Sequence, residues 1–386
     1  MISILDINIK NKILLIRSDL NVPIDQYGNI SSDIRIQLSL PTIKYALEKN
    51  AKIIISSHLG RPNEGEYNPQ YSLKNIAIYL EKILKRKVIL KKDYLNNKLI
   101  FKKNEIILLE NVRFNLGEKN NDEILSKKYA SLCDVFVMDA FATSHRIHAS
   151  TYGVIHFAKQ SCAGLLLINE INHLKKFLKK PKKPLISIVG GAKISTKFNV
   201  LNKLANLSDK VIVGGGIANT ILSLNNDIGN SLYESNAIHL AKKLIQKYKN
   251  IIVPVDCRVS ESLSNDSLVK IKKVNNILKN EKILDIGDET IKIIVQQLQK
   301  AATILWNGPV GVFEFKKFRK GTEAIINTII SNNNIFSIIG GGDTLAAVNL
   351  FHALNKISYI STGGGAFLKF IEGNTLPVIS ILENNT

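Results

Sequence analysis

Residues 185–193 read Leu-Ile-Ser-Ile-Val-Gly-Gly-Ala-Lys, an apolar run that ends in two glycines. This pattern is typical of a buried strand followed by a tight turn. Similar runs lead into glycines at 211–216, 336–344 and 357–365. In an open α/β sheet ligands bind beyond the carboxyl ends of the strands, where glycines let backbone N–H groups come close to them. One such turn could simply end a strand, but the set in one half of the chain predicts a phosphate-binding edge.

The first half of the chain alternates strand-like and helical stretches. Strands are predicted at 13–16, 53–56, 105–109 and 135–139, and helices at 39–49 and 73–85. The second half repeats the alternation to about residue 365. The pattern predicts an α/β protein with two doubly wound, parallel-sheet (Rossmann-like) domains.

A helical connector is predicted between the two halves. Residues 162–180 form an amphipathic pattern that ends in a basic, proline-containing segment at 181–184. We therefore expect an N-terminal domain at 1–170, a hinge at 171–184, a C-terminal domain at 185–370 and a tail at 371–386 that returns to the N-terminal domain. A chain of 386 residues suits two domains better than one.

Composition excludes several classes of protein. The formal net charge is +20, but the lysines are spread along the chain without a nucleic-acid-binding motif, so we expect attraction of small anions and no specific nucleic acid. The sequence shows no apolar run long enough for a membrane span and no export signal. Its three cysteines, Cys133, Cys162 and Cys257, are widely spaced, which suits a reducing cytoplasm.

Arginine is more informative than the total charge. Because lysine is used almost everywhere, arginine is expected where a planar fork must grip phosphate or carboxylate. Polar groups follow the predicted strands and would meet at one sheet edge. They are Asp19, Asn21, His58, Arg61, Arg113, His145 and Arg146, with Arg35 in a nearby polar turn. This set predicts a cup for a small, multiply charged anion, although each His alone could be a satisfied loop residue and Asp139 a turn cap.

The second half predicts a nucleotide site. The segment 306–314 offers an apolar wall and the carboxylate of Glu314, which suits a base and a ribose. Asp343 follows three glycines and could hold Mg²⁺ beside phosphates. Lys193 and Lys197 are four residues apart at a predicted helix start, where they would share one face. The chain has no Walker A pattern, protein-kinase catalytic loop or clean G-x-G-x-x-G.

These motifs together resemble the phosphoglycerate kinase family over essentially the whole chain. The matching segments are 17–23, 57–62, 110–114, 139–148, 190–193, 306–314 and 340–344. The resemblance implies a phosphotransferase with a carboxyl group as acceptor. Its reaction would be reversible, Mg²⁺-dependent transfer of a phosphoryl group between 1,3-bisphosphoglycerate with ADP and 3-phosphoglycerate with ATP.

The resemblance also implies roles for individual residues. Substrate contacts correspond to Asp19, Asn21, Arg35, His58, Arg61, Arg113, His145 and Arg146. Nucleotide contacts correspond to Lys193, Lys197, Asn307, Pro309, Glu314, Gly340, Gly341, Gly342, Asp343 and Thr344, with Asp343 as the metal contact. Arg35, Lys193, Gly342 and Gly364 would stabilise the transferring group. Ala142 and Ser144 stand where Gly and Ala are usual, and Lys369 where an acid is common.

The expected mechanism is direct in-line transfer. The attacking phosphate oxygen is already anionic and the acyl phosphate has a good leaving group, so alignment and charge neutralisation dominate the barrier. Sites on two domains imply closure of a monomer around its substrates. Two alternatives stay open from the residues alone: a module that binds a polyanion such as RNA, and a kinase for an acetate-like acid.

Overall fold

The computed structural model describes residues 1–384. They form two compact units: Met1–Leu174 together with the segment that starts at Asn374, and Lys175–Gly373. Each unit contains a six-stranded sheet. The predicted α/β class with two parallel sheets is confirmed.

The sheet of the first unit is entirely parallel. Its strands are β1 (Ile13–Ser18), β2 (Lys52–Ser56), β3 (Lys87–Lys91), β4 (Glu105–Leu109), β5 (Val135–Asp139) and β6 (Ser161–Ala163). Their order is β3-β4-β2-β1-β5-β6. The central strands β1 and β5 are buried along almost their whole length, as expected for strands covered on both faces.

Helices connect these strands and cover the sheet. They are α1 (Ile34–Glu48), α2 (Lys74–Leu84), α3 (Glu123–Ser131), α4 (Val154–Phe157) and α5 (Leu165–Lys179). Buried side chains such as Ile43 of α1 and Leu80 of α2 join the strand residues in one apolar core. Because parallel strands run in one direction, the loops after β1, β2, β4 and β5 emerge at the same edge.

The start of α5 is fixed by two side chains. The Oδ1 atom of Asp139 accepts a hydrogen bond from the Leu166 N–H at 2.9 Å, and the Oγ1 atom of Thr42 accepts one from the Leu165 N–H at 2.9 Å. A Cβ at Gly164 would lie 2.2 Å from Asp139 Oδ1, so this turn requires glycine. Asp139 therefore caps a helix in this structure.

The second unit contains two sheets. Its strands are β7 (Leu185–Val189), β8 (Lys210–Val213), β9 (Ile251–Ile252), β10 (Asp256–Ser260), β11 (Lys270–Lys273), β12 (Lys282–Ile286), β13 (Thr303–Asn307), β14 (Phe336–Gly340) and β15 (Tyr359–Ser361). The parallel sheet has the order β15-β14-β13-β7-β8-β9, and a separate antiparallel sheet has the order β11-β10-β12. The antiparallel sheet was not part of the sequence prediction.

The remaining helices follow the strands of the second unit, except for the last. They are α6 (Phe198–Leu207), α7 (Gly215–Leu222), α8 (Ile238–Lys247), α9 (Asp288–Gln299), α10 (Lys320–Ile330), α11 (Gly342–Leu350), α12 (Gly365–Glu372) and α13 (Pro377–Asn384). The last, α13, belongs to the first unit, where the Val378 N–H donates to the Ser144 carbonyl. Of the described helices, no single one is long and apolar enough to cross a membrane; by length and composition, only the consecutive pair α12 and α13 could.

Two predicted helices have different bounds in the structure. The single helix predicted over 162–180 is wrong at its start, because Cys162 and Ala163 pair with β5 as strand β6 and the helix begins only at Leu165. The helix predicted from Ser39 begins earlier, at Ile34, and carries Pro41 inside it. Arg35 therefore lies in the first turn of α1 and not in a polar turn.

Candidate functional site

The first part of the site is the carboxyl edge of the parallel sheet in the first unit. Loops after β1, β2, β4 and β5 carry seven of the eight predicted substrate residues, and α1 carries the eighth, Arg35. We call this set the cup. Its members are Asp19, Asn21, Arg35, His58, Arg61, Arg113, His145 and Arg146.

Asp19 and Asn21 organise the loop after β1. The buried Asp19 carboxylate forms an ion pair with Arg35, with 2.5 Å between Oδ2 and Nη1. The Oδ1 atom of Asn21 accepts a hydrogen bond from the Gly60 N–H at 2.8 Å. These contacts tie the loop after β1 to α1 and to the loop after β2.

Arg113 lies in a short 3-10 helix, Val112–Phe114, that directly follows β4. Asn111 caps this helix by accepting from the Arg113 N–H at 3.1 Å, and its amide group also donates to the Leu59 and Tyr71 carbonyls. The Arg113 guanidinium donates to the Gly60 carbonyl. Arg61, which follows Gly60 in the loop after β2, is exposed to solvent.

The loop after β5 supplies His145 and Arg146. The Arg146 Nε atom lies 3.3 Å from His145 Nε2, and both side chains are partly buried. The loop is fixed by Ser144, whose carbonyl accepts from the Val378 N–H of α13 and whose hydroxyl donates to the Phe141 carbonyl. Ser144 stands where the family pattern usually has Ala, and its side chain binds only the backbone of its own loop among the contacts described.

Several charged residues of the cup lie close enough together to shift one another's pKa. Burial lowers the pKa of His58 well below its ordinary value, and Arg17, Arg113, Arg146 and Arg35 lower it further. Burial also lowers the pKa of Arg146, with Asp19 opposing and Arg61 and Arg35 adding to the effect. Because these positive charges repel one another, binding of an anion at this edge is favourable.

The second part of the site is a cavity of about 510 Å³ in the second unit. Its wall includes glycines of the turns after β7 and β8, the segment Pro309 to Glu314, and Asp343 at the start of α11. This volume lies in the range of small-molecule sites. The predicted apolar wall included Trp306. In the structure Trp306 is fully buried in the core and does not line the cavity.

Glycine is required where two loops meet beside this cavity. A Cβ at Gly190 would lie 1.9 Å from the Pro309 carbonyl oxygen, and one at Gly216 would lie 2.2 Å from the Ala192 carbonyl oxygen. Gly341 (φ 98°) and Gly364 (φ 49°) precede α11 and α12 in left-handed conformations. One residue separates β8 from α7 and β14 from α11, and three residues separate β15 from α12. These short connections present backbone N–H groups beyond the sheet edge.

Lys193 and Lys197 do not share a helix face, so that prediction is wrong. Gly190 and Gly191 turn the chain so that Lys193 stays in the loop, exposed, ahead of the short helix Ser195–Lys197. The Lys197 ammonium donates to the Gly190 carbonyl at 2.6 Å, and burial lowers the pKa of Lys197 to about 8, with Asp343 opposing the shift.

The other predicted nucleotide residues divide into exposed and structural groups. Glu314, Gly342 and Asp343 are exposed, and Glu314 and Asp343 line the cavity. The Thr344 hydroxyl is buried, donates to the Gly340 carbonyl at 2.9 Å and accepts from the Gly308 N–H at 2.7 Å. The Asn307 amide donates to the same Gly340 carbonyl. Both side chains hold the turn after β13 against the turn after β14.

Sequence reasoning missed two buried groups next to the cup. Arg17 lies in β1 and Glu118 follows the 3-10 helix after β4, and each is 1% exposed. Glu118 carried no local motif, whereas the rarity of arginine could have drawn attention to Arg17. No group of three or more His, Cys, Asp or Glu within residues 1–384 is placed to hold a metal ion.

The chain is similar to known proteins over nearly its whole length. A sequence model described as phosphoglycerate kinase matches residues 4–374. A relative named phosphoglycerate kinase, from Buchnera aphidicola subsp. Schizaphis graminum (strain Sg), is 59% identical over 380 residues, which are 98% of this chain and 97% of that protein.

Solved structures give the same result. Phosphoglycerate kinase from Coxiella burnetii is 45% identical with a TM-score of 0.88, covering 99% of each chain. The enzyme from Pyrococcus horikoshii OT3 is 30% identical with a TM-score of 0.87, covering 100% of this chain and 99% of that one.

The family model and the solved structures define a nucleotide-dependent kinase of a small acid. More specifically, the chain belongs to the phosphoglycerate kinase family. Its reaction is that of the family, reversible phosphoryl transfer between 1,3-bisphosphoglycerate and ADP, a step of glycolysis. This outcome rules against the acetate-like acid and polyanion alternatives as the main activity.

Proposed function

We propose that the first unit binds 3-phosphoglycerate or 1,3-bisphosphoglycerate in the cup and that the second unit binds ADP or ATP in the 510 Å³ cavity. The observation that carries this proposal is the clustering of Arg35, Arg61, Arg113, Arg146 and His58 around one sheet edge, on the loops after the parallel strands and the first turn of α1. A triose phosphate has a carboxylate and a phosphate to neutralise such a patch. Bidentate arginine contacts suit both groups.

Within the cup we assign three kinds of contact. Ground-state contacts to the phosphate and carboxylate would come from His58, Arg61, Arg113, His145 and Arg146. Asp19 and Asn21 would accept from or donate to the hydroxyl and carboxylate of the substrate. Arg35, on the first turn of α1, would reach the transferring phosphoryl group.

For the nucleotide, we assign the base to the apolar wall that includes Pro309 and the ribose hydroxyls to Glu314. The backbone N–H groups after β14, at Gly340 to Gly342, and the ammonium groups of Lys193 and Lys197 would meet the phosphates. Asn307 and Thr344 would support this site by fixing the turns next to it.

Mg²⁺ fits the donor set at Asp343. This carboxylate is exposed on the cavity wall at the start of α11, and Mg²⁺ is commonly held by one or two carboxylates together with substrate phosphates. When bound there, the ion would neutralise charge on the nucleotide phosphates.

The chain itself would then contribute alignment and charge neutralisation. Arg35 and Lys193, with backbone N–H groups of Gly342 and Gly364, would stabilise charge on the transferring phosphoryl group. Direct in-line transfer requires the two substrates to meet, so we propose that the units close around them and exclude water. The domain assignment is a substrate unit at 1–170, a hinge at 171–184, a nucleotide unit at 185–370 and a returning tail.

We also propose that the enzyme works as a monomer in the cytoplasm, without a specific nucleic-acid or membrane partner. Three buried free cysteines agree with a reducing compartment.

A coupled assay with 3-phosphoglycerate, ATP and Mg²⁺ tests the assignment of the two half-sites. Arg146→Ala should raise KM for 3-phosphoglycerate with little effect on KM for ATP. Lys197→Met should raise KM for ATP with little effect on KM for 3-phosphoglycerate. A crossed pattern, with each variant affecting the other substrate, would show that the half-sites are assigned wrongly.

A magnesium titration tests the metal assignment. Asp343→Asn should shift the Mg²⁺ dependence of activity to higher concentrations and leave the folded structure intact, as judged by circular dichroism. Glu314→Gln on the same cavity wall is the matched control and should change KM for ATP but not the Mg²⁺ midpoint. An unchanged Mg²⁺ titration for Asp343→Asn would contradict the assignment.

A further inference from the structure

A chain of buried polar side chains leads from Glu118 to the cup. The Ser150 hydroxyl donates to Glu118 Oε1 at 2.5 Å, and the Ser150 N–H donates to Glu118 Oε2 at 3.1 Å. Arg17 Nε in turn donates to the Ser150 oxygen at 3.1 Å. The three residues come from distant parts of the sequence, so this contact is made by the fold.

Burial makes this chain costly unless its charges compensate each other. Arg17 and Glu118 are each 1% exposed and Ser150 is 2% exposed. Burial lowers the pKa of Arg17, and Glu118 is the largest of the charges that oppose the shift. Burial raises the pKa of Glu118 to about 7, while Arg17 and the two Ser150 donors favour the ionised carboxylate. Above about pH 7 Glu118 is therefore ionised and is the buried counter-charge of Arg17.

The other end of the chain is His58. Arg17 Nη2 lies 3.4 Å from His58 Nδ1, and the imidazole is 4% exposed. A guanidinium has donors only, so His58 Nδ1 must be the acceptor in this contact. Because the pKa of His58 is well below its ordinary value, the ring is neutral and its single proton is on Nε2.

We propose that Glu118 is a positioning residue that acts through Ser150 and Arg17 to hold His58 as the neutral tautomer with its proton on Nε2. In this tautomer His58 is a hydrogen-bond donor to an anionic oxygen and adds no further cation to a crowded patch. The effect of the tautomer on substrate binding rests on the proposed function, which puts the triose phosphate in the cup.

Loss of the Glu118 charge should disturb this arrangement. In Glu118→Gln one of the two acceptor oxygens is replaced by an NH₂ group, which only donates, so one of the two Ser150 donors loses its partner. Arg17 also loses its counter-charge. The guanidinium is then held less firmly, and the hydrogen bond that selects Nδ1 as acceptor weakens. His58 should populate both tautomers.

The tautomer can be measured in the free protein, without substrate. We would label the full-length chain with ¹⁵N-histidine and assign His58 by comparison with His58→Asn. The wild type should show an unprotonated Nδ1 and a protonated Nε2, and Glu118→Gln should show signals averaged between the two forms. Ser150→Ala, which removes only the hydroxyl bridge, should give the same change and serves if Glu118→Gln fails to fold.

Kinetics supply the second measurement. Glu118→Gln and Ser150→Ala should raise KM for 3-phosphoglycerate about tenfold, the size of one hydrogen bond to a charged group. The change in kcat should be much smaller, because the hydrogen bond forms in the ground state as well. Ser150→Thr keeps the hydroxyl and should restore both the His58 signals and KM.

Glu110→Gln is the matched control. Glu110 is also buried and accepts from a serine hydroxyl, Ser72, at 2.7 Å and from a backbone N–H, that of Leu73, at 2.8 Å. The structure gives no contact between Glu110 and Arg17 or His58 among its described hydrogen bonds, so this variant should leave the His58 nitrogen signals unchanged.

The outcomes separate this proposal from the proposed function. Unchanged His58 signals in both Glu118→Gln and Ser150→Ala, or a wild-type ring that already averages between tautomers, would overturn the role of Glu118. A higher KM without a tautomer change would overturn it as well, because another route would then carry the effect. A different result would contradict the placement of the substrate in the cup. In that case Glu118→Gln would alter the His58 signals, but KM for 3-phosphoglycerate would be unchanged in both His58→Asn and Arg146→Ala.

Discussion

The Arg35 guanidinium lies against the Asp19 carboxylate, and its side chain is 23% exposed. This position lets Arg35 leave its ion pair for a ligand without a large desolvation cost. The pairing places a cation beside the buried Asp19 carboxylate. In the proposed assignment, Arg35 leaves this ion pair to contact the transferring phosphoryl group.

Truncation of Arg35 should affect catalysis more than binding. If its main contact is with the transferring phosphoryl group in the transition state, Arg35→Ala should lower kcat by about 10²–10³-fold with a smaller change in KM. Arg146→Ala should do the reverse, since Arg146 is assigned to the ground state. Steady-state kinetics of the two variants decide the point, and an exchanged pattern would contradict the assignment of Arg35.

Asp139 gives a prediction for pH. Burial raises the pKa of Asp139 to about 7, so between about pH 4 and pH 7 the folded state holds a proton that the unfolded state has lost. The stability gained from this proton is complete below the unfolded pKa and is lost as the pH rises through 7. The free energy of unfolding of Asp139→Asn, relative to wild type, should therefore rise by about 2 kcal/mol from pH 5 to pH 8.

Urea unfolding at several pH values measures this difference. Asp25→Asn is the control, because backbone hydrogen bonding lowers the pKa of Asp25 and keeps it ionised from pH 5 upward. Its difference from wild type should not change over the same range. A flat profile for Asp139→Asn would mean that Asp139 is ionised throughout.

At the scale of the element, the loops after parallel strands carry the chemistry. The turn after β7 packs on the start of α7 so closely that a side chain at Gly216 has no room. We expect Gly216→Ala to reduce the free energy of unfolding by about 1–3 kcal/mol and to raise KM for ATP, because the turn next to the cavity must shift.

Gly342→Ala is the matched control for the fold. Gly342 also lies in the first turn of a helix, next to the cavity-lining Asp343. Apart from its chain neighbours and the backbone of its own helix, no described atom would lie within 4 Å of a Cβ at Gly342. Its thermal unfolding midpoint should stay close to that of wild type. Equal destabilisation by the two substitutions would show that close approach at Gly216 is not the cause.

The sequence predicts the bounds of secondary-structure elements well where a buried element has a continuous run of apolar residues. β4, β5 and β7 have the predicted bounds because central parallel strands are continuous apolar runs. β3 and β6 were missed: β3 is flanked by lysines and β6 has only three residues, so neither presents such a run. The strands of the antiparallel sheet have polar residues between their apolar residues, so the sequence pattern resembles that of a loop.

The part of the site that follows the strands could be predicted from the sequence, but its long-range contacts could not. Residues that follow strands meet at one edge whatever the rest of the fold does, so the cup could be assembled from the chain order. Contacts such as Arg17 with Ser150 join residues 133 positions apart and leave no local pattern. The same holds for Lys197, whose burial and backbone partners depend on a turn that the helical spacing misrepresented.

For the whole molecule, the proposed half-sites lie in different units of the chain. Each substrate alone would engage one unit, whereas both together bring cations of each unit to a shared phosphoryl group. In solution scattering we expect the radius of gyration to fall most when both substrates are present. A ternary complex as extended as the free enzyme would argue against closure.

Amide hydrogen exchange measures whether the two half-sites are separate. With 3-phosphoglycerate alone, the gain in protection should be confined to the first unit, in the loops at 19–23, 57–62, 111–114 and 141–150. With ADP and Mg²⁺ alone, it should be confined to the second unit, in the turns after β7, β8, β13 and β14. Protection of the second-unit turns by 3-phosphoglycerate alone, or of the cup loops by the nucleotide alone, would contradict the account.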